Sequence, residues 1–233
     1  MLTDPFKRKI SYIRVSVTDR CDFRCTYCMP EKIKFLPRDN LLSLEELERL
    51  CDVFIELGVK KIRITGGEPL VRKNIMQLFE GIGKKLGNGL EELTLTTNGS
   101  QLEHYAEDLF KVGVKRINIS LDTLNKNKFK SITKFDNFDK VTRGIYAAKK
   151  IGMKIKINAV ALKDINNNEI LNLVKWCGEN QFTLTFIEVM PMGEMGKKRI
   201  DQFIPLTEVR SLIEAKYSLT KDPFKTGGPA TYM

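Results

Sequence analysis

From residue 10 onward the sequence alternates short β-rich runs with amphipathic stretches of helical period, and that alternation leaves few folds open. Strands are expected near 11–17, 60–65, 92–96, 115–120, 154–161 and 183–189. Helices are expected between them, near 43–57, 72–86, 102–111, 138–151 and 167–179. Ser43-Leu44-Glu45-Glu46 has the form of a capping box, and Gly58, Gly113 and Gly152 stand where helices should stop. Right-handed crossovers then imply an α/β fold: a partial (βα)6 TIM-like barrel with parallel strands, open on one side. A chain of 233 residues has room for one such domain, or at most two. The stretch 190–206, with Pro191, Gly193, Gly196 and Pro205, reads as the exit from the barrel, and Thr207 to Ala215 as one more helix. Residues 1–203 are thus expected to form the barrel and 204–233 a further C-terminal region.

Inside the first unit lies Ser16-Val17-Thr18-Asp19-Arg20-Cys21-Asp22-Phe23-Arg24-Cys25-Thr26-Tyr27-Cys28-Met29-Pro30. Cys21, Cys25 and Cys28 are spaced C-x3-C-x2-C. Three thiolates in one loop can hold three corners of an iron–sulfur cube whose full ligation takes four, leaving one iron open. Arg20 and Arg24 would offset the charge of such a cluster and lower the thiol pKa values. A zinc knuckle or plain reduced thiols is the other reading, but Cys51, Cys177 and the single histidine, His104, stand far off and complete no zinc pattern. Cys51 shares a helical face with Leu47, Leu50, Phe54 and Leu57, which marks it as core, and Cys177 is read the same way. Five cysteines, three of them clustered, fit a reducing compartment and a metal site better than a disulfide framework.

Barrel chemistry gathers at the C-terminal ends of strands, and unusual residues stand at most of those ends here. Strand two runs into Thr65-Gly66-Gly67-Glu68-Pro69, whose glycines either let a ligand approach the backbone or make a tight turn. Strand three ends in Thr96-Thr97-Asn98-Gly99, where Asn-Gly is also an ordinary turn dipeptide. Ser120-Leu121-Asp122 closes strand four, where Ser120 could equally cap a helix. On strand five Lys154, Lys156 and Asn158 share the face opposite Ile155, Ile157 and Ala159, and a phosphate would satisfy such inward polar groups. Strand six ends at Ile187-Glu188-Val189-Met190-Pro191, and Met190 could be a gap-filling core residue.

Lys plus Arg exceed Asp plus Glu by 39 to 29, a net +10, which favours anionic ligands in general. The lysines are scattered over helix faces, and no basic block interleaved with aromatics points to nucleic acid. No apolar run approaches a membrane span or a signal peptide, so the expectation is a cytoplasmic protein without membrane contact.

The C-x3-C-x-aromatic-C run resembles the signature of the radical SAM superfamily, and Ser16 to Pro30 is similar to the GTP 3',8-cyclases of molybdenum cofactor biosynthesis. The likeness extends from about Tyr12 to Tyr232, anchored by the cysteines, Ile62 to Leu70, Leu95 to Gly99, Ile117 to Asp122 and Phe186 to Pro191. It implies one [4Fe-4S] cluster on Cys21, Cys25 and Cys28, with S-adenosyl-L-methionine chelating the open iron and an external donor supplying an electron. Tyr27, Gly67, Ser120 and Met190 would contact S-adenosylmethionine, the Gly-Gly-Glu-Pro turn receiving its amino group. Arg14, Arg63, Thr96 and Lys156 would contact GTP. The implied reaction removes hydrogen from C3' of the ribose and joins that carbon to C8 of guanine, with no side chain assigned as a general base.

Two departures from the family pattern bear on the substrate. The family continues past Gly228-Pro229 into a segment with three more cysteines that hold a second cluster, so the reading expects a fragment or a shortened relative. Thr185 stands where the family usually has arginine, and one neutral hydroxyl replaces a charged fork. The alternatives are a radical SAM enzyme with another substrate, or a non-catalytic iron–sulfur or nucleotide-binding remnant. A lost domain, or a second copy of the chain in a homodimer, is a candidate cover for the open flank.

Overall fold

The computed structural model describes residues 2–29, 33–190, 200–223 and 230–233. Six strands form one sheet in the order β1-β2-β3-β4-β5-β6, and helices alternate with them, which is the α/β class expected. The chain divides into two compact units.

The first unit comprises Met1–Phe23, Lys32–Ser120 and Asn137–Ile155. It holds β1 (Tyr12–Ser16), β2 (Lys61–Thr65), β3 (Glu92–Thr97) and β4 (Arg116–Ser120). Its helices are α1 (Leu44–Glu56), α2 (Ile75–Gly83), α3 (Leu102–Lys111) and α5 (Phe138–Lys150). The four strands pair in parallel, with Arg14 beside Arg63, Arg63 beside Thr94 and Thr94 beside Arg116. Period-two alternation therefore puts Ile62, Ile64, Leu93, Leu95, Ile117 and Ile119 on one face, all fully buried. Leu47, Cys51, Phe79, Ile82, Leu109, Val141 and Ile145 from the helices are buried with them, each such side chain contributing about 1.5–3 kcal/mol. The opposite face carries Arg14, Arg63, Thr94, Thr96, Arg116, Asn118 and Ser120.

Helix boundaries follow local chemistry. Glu46 N donates to Ser43 Oγ at 3.1 Å while Ser43 N donates to Glu46 Oε2 at 2.7 Å, closing the expected capping box of α1. Gly58, Gly113 and Gly152 end helices with φ of +101°, +98° and +87°. The helix expected over 72–86 is shorter, because Asn74 adopts φ 60°, a left-handed conformation no helix continues through.

The second unit comprises Arg24–Glu31, Leu121–Asp136 and Lys156–Met233. It holds α4 (Lys126–Thr133), most of β5 (Lys154–Ala161), α6 (Ile170–Asn180), β6 (Thr183–Glu188) and α7 (Leu206–Glu214). β5 and β6 pair in parallel, setting Asn158 beside Thr185. Ile204 and Val209, on the approach to and within α7, pack on Ala161 and Ile170. The sequence expectation had no helix between 120 and 138, yet α4 is there. Asn125 Oδ1 accepts from Asn127 N at 2.9 Å and Lys128 N at 3.1 Å to start it, and Phe129 and Ile132 bury its narrow apolar stripe. Pro30, the barrel-exit residues Pro191, Gly193 and Gly196, and the terminal Gly227-Gly228-Pro229 lie outside the described residues. Among the described residues no helix is long and apolar enough to cross a membrane.

Candidate cofactor site

In the first unit, β1 and β2 end side by side, so the two loops that follow them run together. Val17 N donates to Thr65 O at 2.9 Å, Gly67 N to Thr18 O at 2.7 Å and Glu68 N to Arg20 O at 2.8 Å. These bonds bind the Gly-Gly-Glu-Pro turn to the loop carrying Cys21. A Cβ on Gly67 would lie 2.2 Å from the Arg20 carbonyl oxygen, and one on Gly66, whose φ is +152°, 2.5 Å from that of Thr18. The glycines were expected to clear space for a ligand or to form a tight turn; the backbone approaching them here is the chain's own cysteine loop.

Glu68 follows in full burial, and its hydrogen-bond partners among the described residues are neutral. Its Oε1 accepts from Leu70 N at 3.0 Å and Thr97 Oγ1 at 2.8 Å, and its Oε2 from Asn98 N at 2.6 Å. Burial pushes this carboxyl up to about 7 against the lowering effect of the three donors. Asn98 then extends the network. Its Nδ2 donates to Asp22 Oδ1 at 2.7 Å and toward Cys21 Sγ at 3.7 Å, and its Oδ1 accepts from Ser100 N at 2.8 Å. Ser100 Oγ donates to Asp22 Oδ2 at 2.5 Å, and Phe23 N to Cys21 Sγ at 3.4 Å.

Arg20 does not lower the Cys21 thiol pKa as expected. Its guanidinium is engaged by Asp19 at 3.3 Å, by Leu36 O at 3.0 Å and by the Phe35 ring, and burial pushes the thiol up to about 11. A metal cation would deprotonate such a thiol outright.

On the polar face of the first unit, Arg14 and Arg63 are register neighbours, and Thr96 sits beside Asn118. Arg116 is paired with Glu92 at 2.6 Å. Among the described residues Arg63 makes no such ion pair: its Nε is buried without a hydrogen-bond partner there, its guanidinium lies 5.3 Å from the Tyr12 ring centre, and burial lowers its pKa. Ser120 ends β4 on this face and caps no helix; Asn125 caps α4 instead.

The second unit holds the rest of the cysteine run. Arg24 N donates to Thr133 O and Thr26 N to Ile132 O, both at 2.9 Å, so α4 secures this stretch. Cys25 and Cys28 sit in one turn, closed by Cys28 N to Cys25 O at 2.9 Å. Between them the Tyr27 ring packs on Ile132, Leu162 and Val189, and its hydroxyl donates to Asp122 Oδ2 at 2.7 Å. Asp122 Oδ1 accepts from Val160 N at 2.8 Å, and burial pushes this carboxyl up to about 6. Lys156, on β5, is buried and donates from Nζ to Tyr232 Oη at 2.6 Å. Met190 is 63% exposed, which rules out the gap-filling core role.

A model of the radical SAM superfamily matches residues 15–177, spanning the cysteine loop, the glycine turn and β1 through most of α6. The chain belongs to the radical SAM superfamily. Within it, the GTP 3',8-cyclases of Rhizobium etli strain CIAT 652 and Mesorhizobium japonicum are both 58% identical, over all of this chain and 67% and 70% of their own lengths. That of Paracoccus denitrificans is 56% identical, over all of this chain and 68% of its length. This radical SAM chain therefore belongs to the GTP 3',8-cyclase family. Among solved structures, Streptococcus suis SuiB bound to its precursor peptide SuiA is similar with a TM-score of 0.72 at 24% identity, covering 88% of this chain and 45% of that one. SuiB bound to S-adenosylmethionine gives 0.68 at 22% identity, over 88% and 46%. These two likenesses concern the fold.

The donor chemistry is that of a radical SAM cluster, with Cys21, Cys25 and Cys28 at the family spacing and Cys21 Sγ receiving two N–H groups, while among the described residues no three His, Cys, Asp or Glu side chains are gathered closely enough to hold a metal ion. Cys51 and Cys177 are buried in the core as expected, where burial pushes each thiol up to about 12. Asp22, Ser100 and Tyr232 were not singled out from the sequence. An acid directly after a cysteine was the one signal for the first of them.

Proposed function

We propose that this chain is the barrel portion of a GTP 3',8-cyclase, converting GTP to 3',8-cyclo-GTP on the path to molybdopterin, with residues 1–203 the barrel and 204–233 the start of a C-terminal region. The observation that carries the reading is the pair of bonds from Gly67 N and Glu68 N to the cysteine loop, which fix the glycine turn beside the first cluster cysteine. Cys21, Cys25 and Cys28 hold a [4Fe-4S] cluster. Once bound, the cluster and S-adenosyl-L-methionine supply the electron and the carbon radical that the ribose C–H bond requires.

The protein's own task is positioning. Gly67 and Ser120 receive the polar end of S-adenosylmethionine, Met190 and the Tyr27 ring its apolar parts, while Asp122 fixes the ring through its hydroxyl. Arg14, Arg63 and Lys156 bind the triphosphate and Thr96 a further polar group of GTP. The unmatched buried Nε of Arg63 supports an anionic partner, because such a donor costs about 1–3 kcal/mol when left unpaired. An external reductant delivers the electron, and the protein acts in the cytoplasm as a monomer or homodimer.

Anaerobic reconstitution with iron and sulfide tests this, followed by reduction with S-adenosylmethionine and GTP. The expected products are 5'-deoxyadenosine and 3',8-cyclo-GTP, both abolished in Cys25→Ala. Oxygen-free material that is colourless and holds zinc would refute the cluster; 5'-deoxyadenosine formed without any GTP binding would refute the substrate.

A further inference from the structure

We propose that Asn98 is a positioning residue that sets the reduction potential of the cluster through Cys21, with Asp22 as its counterweight. The inference rests on the reading that Cys21 ligates the cluster, and it assigns a role to side chains that the reading leaves idle.

The Asn98 amide has one orientation available. Ser100 N donates to its Oδ1 at 2.8 Å, so the NH2 group must face the other way, toward Asp22 Oδ1 at 2.7 Å and Cys21 Sγ at 3.7 Å. Its backbone is fixed too, since Asn98 N donates to buried Glu68 at 2.6 Å. Asp22, adjacent to the ligand, has each carboxylate oxygen covered by a donor, Asn98 Nδ2 on Oδ1 and Ser100 Oγ, at 2.5 Å, on Oδ2. A donor on a ligating sulfur stabilises the added negative charge of the reduced cluster, and a carboxylate beside it opposes that charge. Asn98 does both jobs at once: it donates toward the sulfur and screens the acid. The two residues therefore pull the potential in opposite directions.

The experiment is a one-electron titration of the anaerobically reconstituted chain, followed by electron paramagnetic resonance. Asn98→Ala is expected to disfavour reduction about tenfold, a midpoint about 59 mV more negative, at unchanged iron and sulfide content. Asp22→Asn is expected to shift the midpoint the other way. A cluster-loaded Asn98→Ala with the wild-type midpoint, or shifts of the same sign in both variants, would overturn the inference. Should Asn98→Ala fail to load, Asp22→Asn decides alone, and an unmoved midpoint there refutes it. A wild-type chain that takes up no cluster would instead overturn the underlying reading, so the two failures are distinguishable.

Discussion

Replacing Gly67 by alanine tests the link between the glycine turn and the cysteine loop. The new Cβ would stand 2.2 Å from the Arg20 carbonyl oxygen, 2.5 Å from its carbon and 2.8 Å from Asp19 O, and all three are backbone atoms. No rotamer change relieves such a clash. The loop must retreat by the better part of an ångström, and the bonds Gly67 N to Thr18 O at 2.7 Å and Glu68 N to Arg20 O at 2.8 Å stretch or break. Overpacking costs about 1–3 kcal/mol and two weakened hydrogen bonds about 1 kcal/mol each, so a loss of roughly 3–5 kcal/mol is expected. For a chain of this size that lowers Tm by roughly 6–20 °C. Gly178→Ala is the matched control: nothing lies within 4 Å of its added Cβ, and it sits near the end of α6. Relieving a helical glycine there should stabilise by about 0.5–1 kcal/mol. The assay is urea unfolding of the metal-free chain, with iron uptake measured in parallel. Gly67→Ala within 0.5 kcal/mol of wild type, a limit set by ordinary surface substitutions of about that size, would refute the close approach.

Glu68 gives a pH signature. Its folded pKa is raised by burial to about 7 from 4.5, so the folded state holds its proton longer than the unfolded one. Stability from this group is complete below about pH 4.5 and is lost as pH rises through about 7, on the order of 3 kcal/mol; Glu68→Gln should flatten that slope in unfolding curves taken across the window. Ser43→Ala removes half of the α1 capping box and should cost about 1 kcal/mol by the same unfolding measurement. Lys156→Ala should weaken GTP binding by about 10- to 100-fold in equilibrium dialysis, the worth of one charged hydrogen bond, without altering cluster content.

Local chemistry made much of this protein legible in advance. A β-rich run every few tens of residues fixes six strands, and Ser43 with Glu46 fixes the start of α1, because each signal acts within one or two turns of chain. The cysteine spacing fixes a donor set for the same reason. Short-range signals failed at α4, where Lys126, Lys128 and Lys130 dilute an apolar stripe that only Phe129 and Ile132 supply. They were silent at Asn98 and Gly67. The dipeptide Asn98-Gly99 reads as a turn, and only the fold carries its amide to Asp22, 76 residues earlier. Gly67 reads as clearance for a ligand or as a tight turn, and only the fold shows the Arg20 carbonyl standing where its Cβ would be. Sequence by itself determined the six strands, most of the helices and the spacing of the three clustered thiols, since each depends on neighbours along the chain. Tertiary structure alone decided which backbone the glycines face and which amide faces the sulfur, because strand pairing joins loops that the sequence keeps far apart.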